Sequence, residues 1–405
     1  MEDPLPLTEK PFTINVITGQ GGGGHYAMYN ALKAIALEQN LPWEFQVTDM
    51  DDIVDSLAEQ KQVVNAYNMM GFSGHDLYNM MMKSGWTWLW PLKMRLNKLL
   101  VKLNHDAGVK FFEQYWREQQ PDLVVSVMPL YNKGLWQSLQ QALPNTPYVT
   151  VMVDMADYPP AFWHEPEIQS YVMCPTEKAV EQAHAIGVKQ KCIVKTSGIS
   201  IHPNFYKQVK CDRAAERKLL GLDPDCLTGL VLFGGYGSKV MLDIAQQLEH
   251  FQQKLQLIFI CGRNEELAAQ LHQSRGEQRR FVTGFTKDIP YFMHLSDFFI
   301  GKPGPACLSE ATVMNLPVIV ERNISTLIHE LYNTVWVEQN EVGIVIPNFS
   351  QIGKAVEQFL QPETFARYQA NVADINNRAI FEISDFIQNL FATHSLTEGA
   401  LASDQ

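Results

Sequence analysis

The feature that most constrains this fold is a pair of glycine-rich segments, each between an apolar run and a helix-like stretch. The first, GQGGGGH, extends from Gly19 to His25 and follows the apolar run Phe12 to Thr18. The second, GKPGPACLSEA, extends from Gly301 to Ala311. Glycine lets the backbone turn tightly and bring its N–H groups close to a ligand, and a helix N-terminus favours negative charge. The two turns predict two lobes that bind a nucleotide and a second substrate.

Apolar runs alternate with helix-like stretches through both halves of the chain, as is typical of parallel sheets covered on both faces. Polar loops between residues 201 and 225 interrupt this alternation. The sequence therefore predicts an α/β protein with two Rossmann-like, doubly wound domains that face each other across a cleft. We place the domains at residues 1–200 and 201–372, and we expect a helix in residues 373–405 to pack back across the lobes, followed by a polar tail.

Composition and charge argue against several classes of protein. The formal net charge of −12 does not favour a nucleic-acid-binding protein. The six cysteines include no C-x-x-C pair, which argues against structural zinc and favours a reducing cytosol. No uncharged apolar run reaches the ~18 residues that span a bilayer. His329–Glu330 lacks the second histidine of H-E-x-x-H, so we predict no essential metal. We also predict a cytoplasmic location.

Three further segments of the C-terminal half have the pattern of nucleotide-binding turns. They are Gly234–Ser238 (GGYGS), Gly284–Phe285, and Lys302–Glu310 with the form K-x-G-x-x-x-x-S-E. The ordered set GGGH, GG-x-G, G-F-T, K-x-G-P-x-x-x-x-E-A, x-L-P-V-I and H-E-x-x-N resembles the family of monogalactosyldiacylglycerol synthases. The bacterial enzyme that adds N-acetylglucosamine to lipid I is a more distant relative. The likeness runs from about Ile14 to the final helix.

The resemblance implies a GT-B fold and an inverting glycosyltransferase that moves a hexose, galactose or glucose, from a UDP-sugar to diacylglycerol or a similar membrane lipid. It implies no cofactor beyond this donor substrate. His25 would be the general base near the acceptor hydroxyl. The residues implied to bind the nucleotide-sugar are Gly22, Gly23, Gly24, Gly235, Gly237, Ser238, Phe285, Lys302, Gly304, Glu310, Glu330 and Asn333. Phe285 would lie beside the uracil, Glu310 would accept hydrogen bonds from the ribose, and Glu330 and Asn333 would hold sugar hydroxyls.

Elementary chemistry favours the same assignment, although each motif alone has a simpler interpretation. Glycine turns and helix N-termini stabilise the charge of a leaving pyrophosphate, and a histidine beside such a turn suits proton removal from an acceptor. However, four successive glycines can form a loose loop, and His25 can be only a residue at a helix start. Glu310 can be an ordinary carboxylate on a helix surface. Asp154 is the next candidate base.

A cationic, tryptophan-rich segment stands out from the acidic average. Residues 77–104 contain five basic residues and no acidic residue, and apolar residues beyond Pro91 share one helical face. Tryptophan and lysine around an amphipathic helix suit a lipid interface, so we predict a peripheral membrane protein. The predicted membrane-binding residues are Trp86, Trp88, Trp90, Lys93, Arg95 and Lys98. In the alternative interpretation, the tryptophans belong to the core and the lysines to an ordinary solvated face.

Three other functions fit parts of the pattern. One is a UDP-sugar glycosyltransferase that acts on a polyprenyl-linked or soluble acceptor. Another is a nucleotide-sugar epimerase of the same fold, which requires extra carboxylates around the sugar in place of an acceptor surface. A third is a lipid- or nucleotide-binding protein without catalysis, against which the presence of His25, Glu310 and Glu330 argues. Release of UDP with and without lipid distinguishes these classes.

Overall fold

The computed structural model describes residues 11–19, 23–59, 90–165, 167–251, 253–274 and 276–402, with the backbone alone for residues 58–59, 90–92 and 394–402. The chain divides into two compact units. The first unit is Met1–His202 with Arg378–Gln405, and the second unit is Pro203–Asn377.

The first unit is built around a six-stranded parallel sheet with the strand order β2-β1-β3-β4-β5-β6. Its strands are β1 Phe12–Thr18, β2 Trp43–Asp49, β3 Leu123–Ser126, β4 Tyr148–Val151, β5 Tyr171–Cys174 and β6 Ile193–Lys195. Strands β3 and β4 are buried along their whole length. Continuous apolar strands of this kind are stable in a parallel sheet because helices remove both of its faces from water.

Within the described residues, six α-helices of the first unit precede its boundary at His202. They are α1 Gly24–Glu38, α2 Met50–Glu59, α3 Trp90–Leu103, α4 His105–Gln119, α5 Asn132–Ala142 and α6 Glu177–Ala185. Helix α1 buries one apolar face that includes Met28, Leu32 and Ile35. This spacing of three to four residues is what places one face of a helix against a sheet.

The second unit contains another six-stranded parallel sheet, with the order β12-β11-β10-β7-β8-β9. Its strands are β7 Leu227–Leu232, β8 Leu255–Ile260, β9 Arg280–Thr283, β10 Phe298–Gly301, β11 Val318–Glu321 and β12 Gly343–Ile346. Its helices are α7 Arg213–Leu219, α8 Val240–Leu248, α9 Glu265–Gln273, α10 Ile289–His294, α11 Pro305–Val313, α12 Leu331–Gln339, α13 Ile352–Phe359 and α14 Pro362–Ala373. The two sheets confirm the predicted α/β class with two doubly wound domains.

The last helix, α15 (Ala379–Ala402), returns to the first unit. Phe391 stacks on Phe12 at the start of β1, with ring centroids 4.0 Å apart. The hydroxyl of Ser384 donates to Gln39 Oε1 at the end of α1 over 2.8 Å. The two ends of the described chain are therefore joined in one unit. Among the helices of the described residues, none combines the length and apolar character needed to cross a bilayer.

Candidate active site

In doubly wound sheets, ligands bind at the carboxyl ends of the strands, where the strand order reverses. In the first unit the order reverses between β1 and β3, and in the second unit between β7 and β10. Both glycine-rich segments start at such a point, since Gly19 follows β1 and Gly301 ends β10. The GGYGS segment follows closely after β7. The fold therefore places the sequence motifs where ligand sites form.

His25 lies at the start of α1, directly after the glycine turn. Gly23 caps this helix with φ 77°, in the left-handed region that favours glycine, and Gly24 is its first residue. Gly22 lies outside the described residues. The Nδ1 atom of His25 is 2.5 Å from the carbonyl oxygen of Val127, just beyond β3. Because a carbonyl only accepts hydrogen bonds, Nδ1 carries the proton and the lone pair of the neutral ring is on Nε2.

A loop after β4, here called the Trp163 loop (Asp154–Glu165), lies beside His25. The buried carboxylate of Asp157 accepts hydrogen bonds from the backbone N–H groups of residues 161–163 over 2.6–3.0 Å. The indole nitrogen of Trp163 donates to Asp154 Oδ2 over 2.8 Å, and its ring centroid is 6.4 Å from that of His25. The sequence analysis missed Trp163. The only signal was that this tryptophan directly precedes His164 in a segment without helix or strand pattern.

Asp49 ends β2 and forms an Asp-x-Asp sequence with Asp51, and Asp49 has a structural role. The hydroxyl of Tyr26 donates to Asp49 Oδ2 over 2.7 Å, and Asp49 Oδ1 accepts from the backbone N–H of Asp51 over 2.9 Å. Burial and the bond to Asp49 both raise the pKa of Tyr26. Asp49 thus connects the starts of α1 and α2. Within the described parts of the chain, no group of three or more His, Cys, Asp or Glu residues is placed to hold a metal ion.

In the second unit, the turn after β7 requires glycine because two loops approach each other closely. Gly237 has φ 60°, and a Cβ atom there would lie 2.8 Å from the carbonyl oxygen of Cys261. Gly262 has φ 58°, and a Cβ atom there would lie 2.3 Å from the carbonyl oxygen of Gly235. Ser238 follows this turn, and its hydroxyl accepts a weak bond from Val240 N at the start of α8 over 3.4 Å. Gly235 is exposed, and its carbonyl oxygen accepts a hydrogen bond from the backbone N–H of Arg263 over 2.8 Å.

Two exposed aromatic rings lie beside this turn. Tyr236 and Phe285 are 61% and 55% exposed. The guanidinium carbon of Arg263 is 5.2 Å from the ring centroid of Phe285 and 6.0 Å from that of Tyr236. Exposed rings around a guanidinium provide a surface on which a planar base can stack. The sequence predicted a base contact for Phe285, which stays a prediction, but not for Arg263 or Tyr236, which only the loop conformations bring beside it.

The predicted residues after β10 form one cluster. Lys302 Nζ is 3.2 Å from Glu330 Oε1, and the carboxylate of Glu330 is almost fully buried. Gly304 caps α11, and a Cβ atom there would lie 3.7 Å from Glu330 Oε1. Asn333 is fully buried, and its Nδ2 donates to the carbonyl of Pro303 over 2.8 Å. Asn333 therefore supports the turn in this structure, while its predicted contact with a sugar hydroxyl stays a prediction.

Glu310 lies on α11, six residues after Gly304. The surrounding protein raises the pKa of Glu310 to about 8 by desolvation, although the residue is partly exposed. Burial, followed by the nearby carboxylate of Glu310, raises the pKa of Cys307 to about 12. A partly desolvated carboxyl group is a strong acceptor once a ligand supplies hydroxyl donors.

The helix α3 has two different sides. Arg95, Leu99, Lys102 and Leu103 recur at helical spacing and are exposed, with Leu99 and Leu103 at 51% and 65%. Two other cations of this helix, Lys93 and Lys98, are less exposed than Arg95 and Lys102. Burial lowers the pKa of half-buried Lys93 to about 8, against an opposing contribution from Asp51, and Lys98 Nζ donates to the carbonyl of Pro160 over 2.7 Å. Trp86 and Trp88 lie outside the described residues, as does the side chain of Trp90.

Comparisons with known proteins agree with these observations. The family model for monogalactosyldiacylglycerol (MGDG) synthase matches residues 25–201. The chain is 27% identical over 368 residues to the chloroplastic monogalactosyldiacylglycerol synthase of Spinacia oleracea, over 88% of this chain and 67% of that protein. It is 29% identical over 282 residues to a probable chloroplastic monogalactosyldiacylglycerol synthase 2 of Oryza sativa subsp. japonica, over 67% of this chain. The chain spans about three-fifths of the length of that relative, 59%. The resemblance to this family is confirmed.

Solved structures share the fold at low sequence identity. MurG of Acinetobacter baumannii has a TM-score of 0.58 at 12% identity, over 94% of this chain and 99% of that one. WaaG, a glycosyltransferase involved in lipopolysaccharide biosynthesis, has a TM-score of 0.51 at 15% identity, over 93% and 99% of the chains. A putative UDP-N-acetylglucosamine 2-epimerase from Listeria monocytogenes has a TM-score of 0.57 at 13% identity, over 95% and 97%. The predicted GT-B fold is confirmed.

Proposed function

From this resemblance to the monogalactosyldiacylglycerol synthases, we propose that the chain is an inverting glycosyltransferase. It moves a hexose, galactose or glucose, from a UDP-sugar to diacylglycerol or a similar membrane lipid. The observation that carries this proposal is the hydrogen bond between His25 Nδ1 and the carbonyl of Val127 at a sheet switch point. This bond gives the imidazole the tautomer that a general base needs, at the position where doubly wound sheets bind ligands.

The first unit supplies the acceptor half of the reaction. His25 Nε2 takes the proton of the acceptor hydroxyl while the oxygen attacks the anomeric carbon. The carbonyl of Val127 accepts from Nδ1 and stabilises the imidazolium that forms. The bond from the anomeric carbon to the UDP oxygen breaks as the new bond forms on the opposite face, which inverts the configuration. UDP leaves with the electron pair of the broken bond, and the hexose stays on the acceptor oxygen.

The second unit supplies the donor half. The backbone of the GGYGS segment and the N-termini of α8 and α11 favour the negative pyrophosphate, and Lys302 adds a positive charge. Glu310 accepts hydrogen bonds from the ribose hydroxyls, and Glu330 from hydroxyls of the sugar. The uracil stacks on the surface formed by Tyr236, Arg263 and Phe285. No step of this scheme requires a metal ion.

A lipid acceptor requires that the protein reach a membrane surface. The exposed stripe Arg95, Leu99, Lys102 and Leu103, here called the docking face of α3, combines two cations with two apolar side chains. Such a helix lies in the interface with its apolar residues inserted and its cations on anionic headgroups. We therefore assign this face, rather than Lys93 and Lys98, to anionic lipid.

The proposal is tested with purified protein, a panel of labelled UDP-sugars and vesicles that contain diacylglycerol and anionic phospholipid. We expect release of UDP that depends on diacylglycerol, with the product identified as a hexosyl-diacylglycerol by mass spectrometry and as the inverted anomer by NMR. His25→Ala should abolish most of this release, whereas His184→Ala, an exposed histidine on α6 of the same unit, should not. A wild-type protein that releases no UDP with any lipid would contradict the proposal.

The alternative functions are separated in the same assay. The fold likeness to a putative UDP-N-acetylglucosamine 2-epimerase makes epimerisation the second candidate. An epimerase converts the UDP-sugar without any acceptor, so an epimeric UDP-sugar in the absence of lipid would identify it. Transfer to a polyprenyl phosphate or a soluble sugar, with diacylglycerol inactive, would identify another acceptor.

A further inference from the structure

The inner side of α3 contacts the Trp163 loop. Lys98 Nζ donates to the carbonyl of Pro160, near the exposed end of that loop, over 2.7 Å. Leu99, the next residue of the helix, is half-exposed and belongs to the docking face. Lys98 is therefore directly adjacent, on the same helix, to the residues proposed to meet lipid.

The loop itself leads from Pro160 to a residue beside His25. Ala161 has φ 57°, a left-handed conformation that is unfavourable for a residue with a Cβ atom, and its N–H is held by Asp157. Two residues farther along the chain, the Trp163 ring lies next to that of His25. A loop in a strained conformation depends on its surrounding contacts, because other conformations are more favourable for the isolated chain.

The segment that follows β3 connects the same loop to His25 a second time. The backbone N–H of Leu130 donates to the carbonyl of Phe162 over 2.9 Å. Three residues earlier, the carbonyl of Val127 accepts from His25 Nδ1. A change in the position of the Trp163 loop therefore acts on two neighbours of His25, the Trp163 ring and the segment that fixes the imidazole tautomer.

We propose that Lys98 is a positioning residue that couples the docking face of α3 to His25 through the Trp163 loop. Binding of α3 to lipid favours the helix position seen here, and the bond from Lys98 to Pro160 transmits this preference to the loop. The enzyme is then most active where its acceptor is, at a lipid surface. This inference rests on the proposed function, because kcat for glycosyl transfer is what the test measures. It also rests on the proposed docking face, because lipid binding by that face starts the change.

The test compares Lys98→Met, which keeps the aliphatic stem but loses the donor, with Lys98→Arg, which keeps a donor. The matched control is Lys110→Met, the same change at an exposed position of α4. For each protein, kcat is measured on vesicles that contain diacylglycerol and on a dispersed short-chain diacylglycerol. We expect Lys98→Met to lower kcat on vesicles about fivefold, as the loss of one exposed hydrogen bond implies. The rate on the dispersed acceptor and the KM for the donor should change little, and Lys98→Arg should restore most of the vesicle rate.

A structural role alone would lower both rates and the unfolding temperature together, and that result would overturn the proposal. A full vesicle rate in Lys98→Met would also overturn it. Co-sedimentation with anionic vesicles must remain normal in this variant, because Lys98 is assigned to the loop and not to the lipid. If Lys98→Met loses vesicle binding, Lys98 is a lipid contact and the coupling is wrong.

Hydrogen exchange provides a readout that does not require transferase activity. The amides of residues 161–163 donate to Asp157 and report on the loop directly. In the wild type and in Lys110→Met, anionic vesicles should slow exchange at these amides, and in Lys98→Met they should not. Equal slowing in all three proteins, or none in the wild type, contradicts the coupling. Slowing in a wild type that transfers no sugar would instead show that the coupling is right and the proposed function is wrong.

Discussion

The two switch points provide their chemistry in different ways. In the first unit, a side chain does the proposed work, and the contacts that hold His25 include the bond to Val127 and the ring of Trp163, in a loop fixed on Asp157. In the second unit the main chain does the proposed work of binding the nucleotide, because the surroundings of Gly237 and Gly262 leave no space for a Cβ atom. A site made of side chains fails when one functional group is removed. A site made of backbone fails when an atom is added.

Removal of the His25 imidazole should have the largest effect. His25→Ala should lower kcat by about 10²–10⁴-fold, since a positioned general base contributes that much, and should leave the UDP affinity unchanged. Steady-state kinetics and calorimetric titration with UDP measure the two quantities, with His184→Ala as the control. If the variant loses UDP affinity as much as turnover, the two units do not divide the work as described, and a near-normal kcat would make Asp154 the next candidate base.

Addition of one methyl group in the second unit should act on binding. Gly262→Ala places a Cβ atom 2.3 Å from the carbonyl oxygen of Gly235, so the turn must move, and we expect UDP affinity to fall by more than about tenfold. Gly221→Ala is the matched control, because Gly221 also has a positive φ, 75°, but its Cβ atom would meet nothing within 4 Å. Both variants should lose about 1–2 kcal/mol of stability from the left-handed backbone. Equal UDP affinities in the two variants would show that the close approach of the loops does not shape the site.

The difference between the units also explains what the sequence could predict. The glycine turn after β7 was identifiable because only glycine meets the backbone requirement found at Gly237, whereas Gly262 was not singled out from the sequence. The two doubly wound sheets followed from the alternation of apolar runs and helices. The partner of His25 was not identifiable, since Val127 lies 102 residues away and contributes a main-chain carbonyl that any residue would offer.

The sequence also did not show which side chains of α3 face the solvent and which face the protein. Residues 77–104 show an excess of cations, but not which of them face outward. The structure directs Lys98 to Pro160 and exposes Leu99, because the tertiary contacts of α3 and not its charge pattern decide which side is inward. Arg263 was missed for a similar reason, since its position between two rings depends on three separate loops.

A pH effect should distinguish the nucleotide site from the His25 site. The pKa of Glu310 is raised to about 8, so at pH 7 most of this carboxyl group is protonated. If the carboxylate accepts from the ribose, UDP affinity should rise as the pH increases from 7 to 8.5, by about fivefold to tenfold. Glu310→Gln should bind UDP on the order of tenfold more weakly at pH 8.5 and lose this pH dependence. Glu357→Gln, an exposed carboxylate of the same unit, is the control, and a pH-independent wild type would remove Glu310 from the site.

The smallest expected effect concerns the surface that brings the first unit to its acceptor. Arg95→Ala removes one cation from the docking face, and each such cation contributes about 1 kcal/mol of attraction to anionic lipid, so vesicle affinity should fall about fivefold. The apparent KM for vesicle-presented diacylglycerol should rise in parallel, while UDP affinity stays the same, because only the first unit is involved. Raised salt should also weaken wild-type binding to vesicles, since exposed charges are screened.

Lys110→Ala, which removes a cation from α4, is the control. Equal vesicle affinity in both variants would mean that the exposed leucines of α3, or residues 60–89, bind the lipid without help from Arg95. Normal vesicle binding with weakened UDP affinity would contradict the division of the two substrates between the two units.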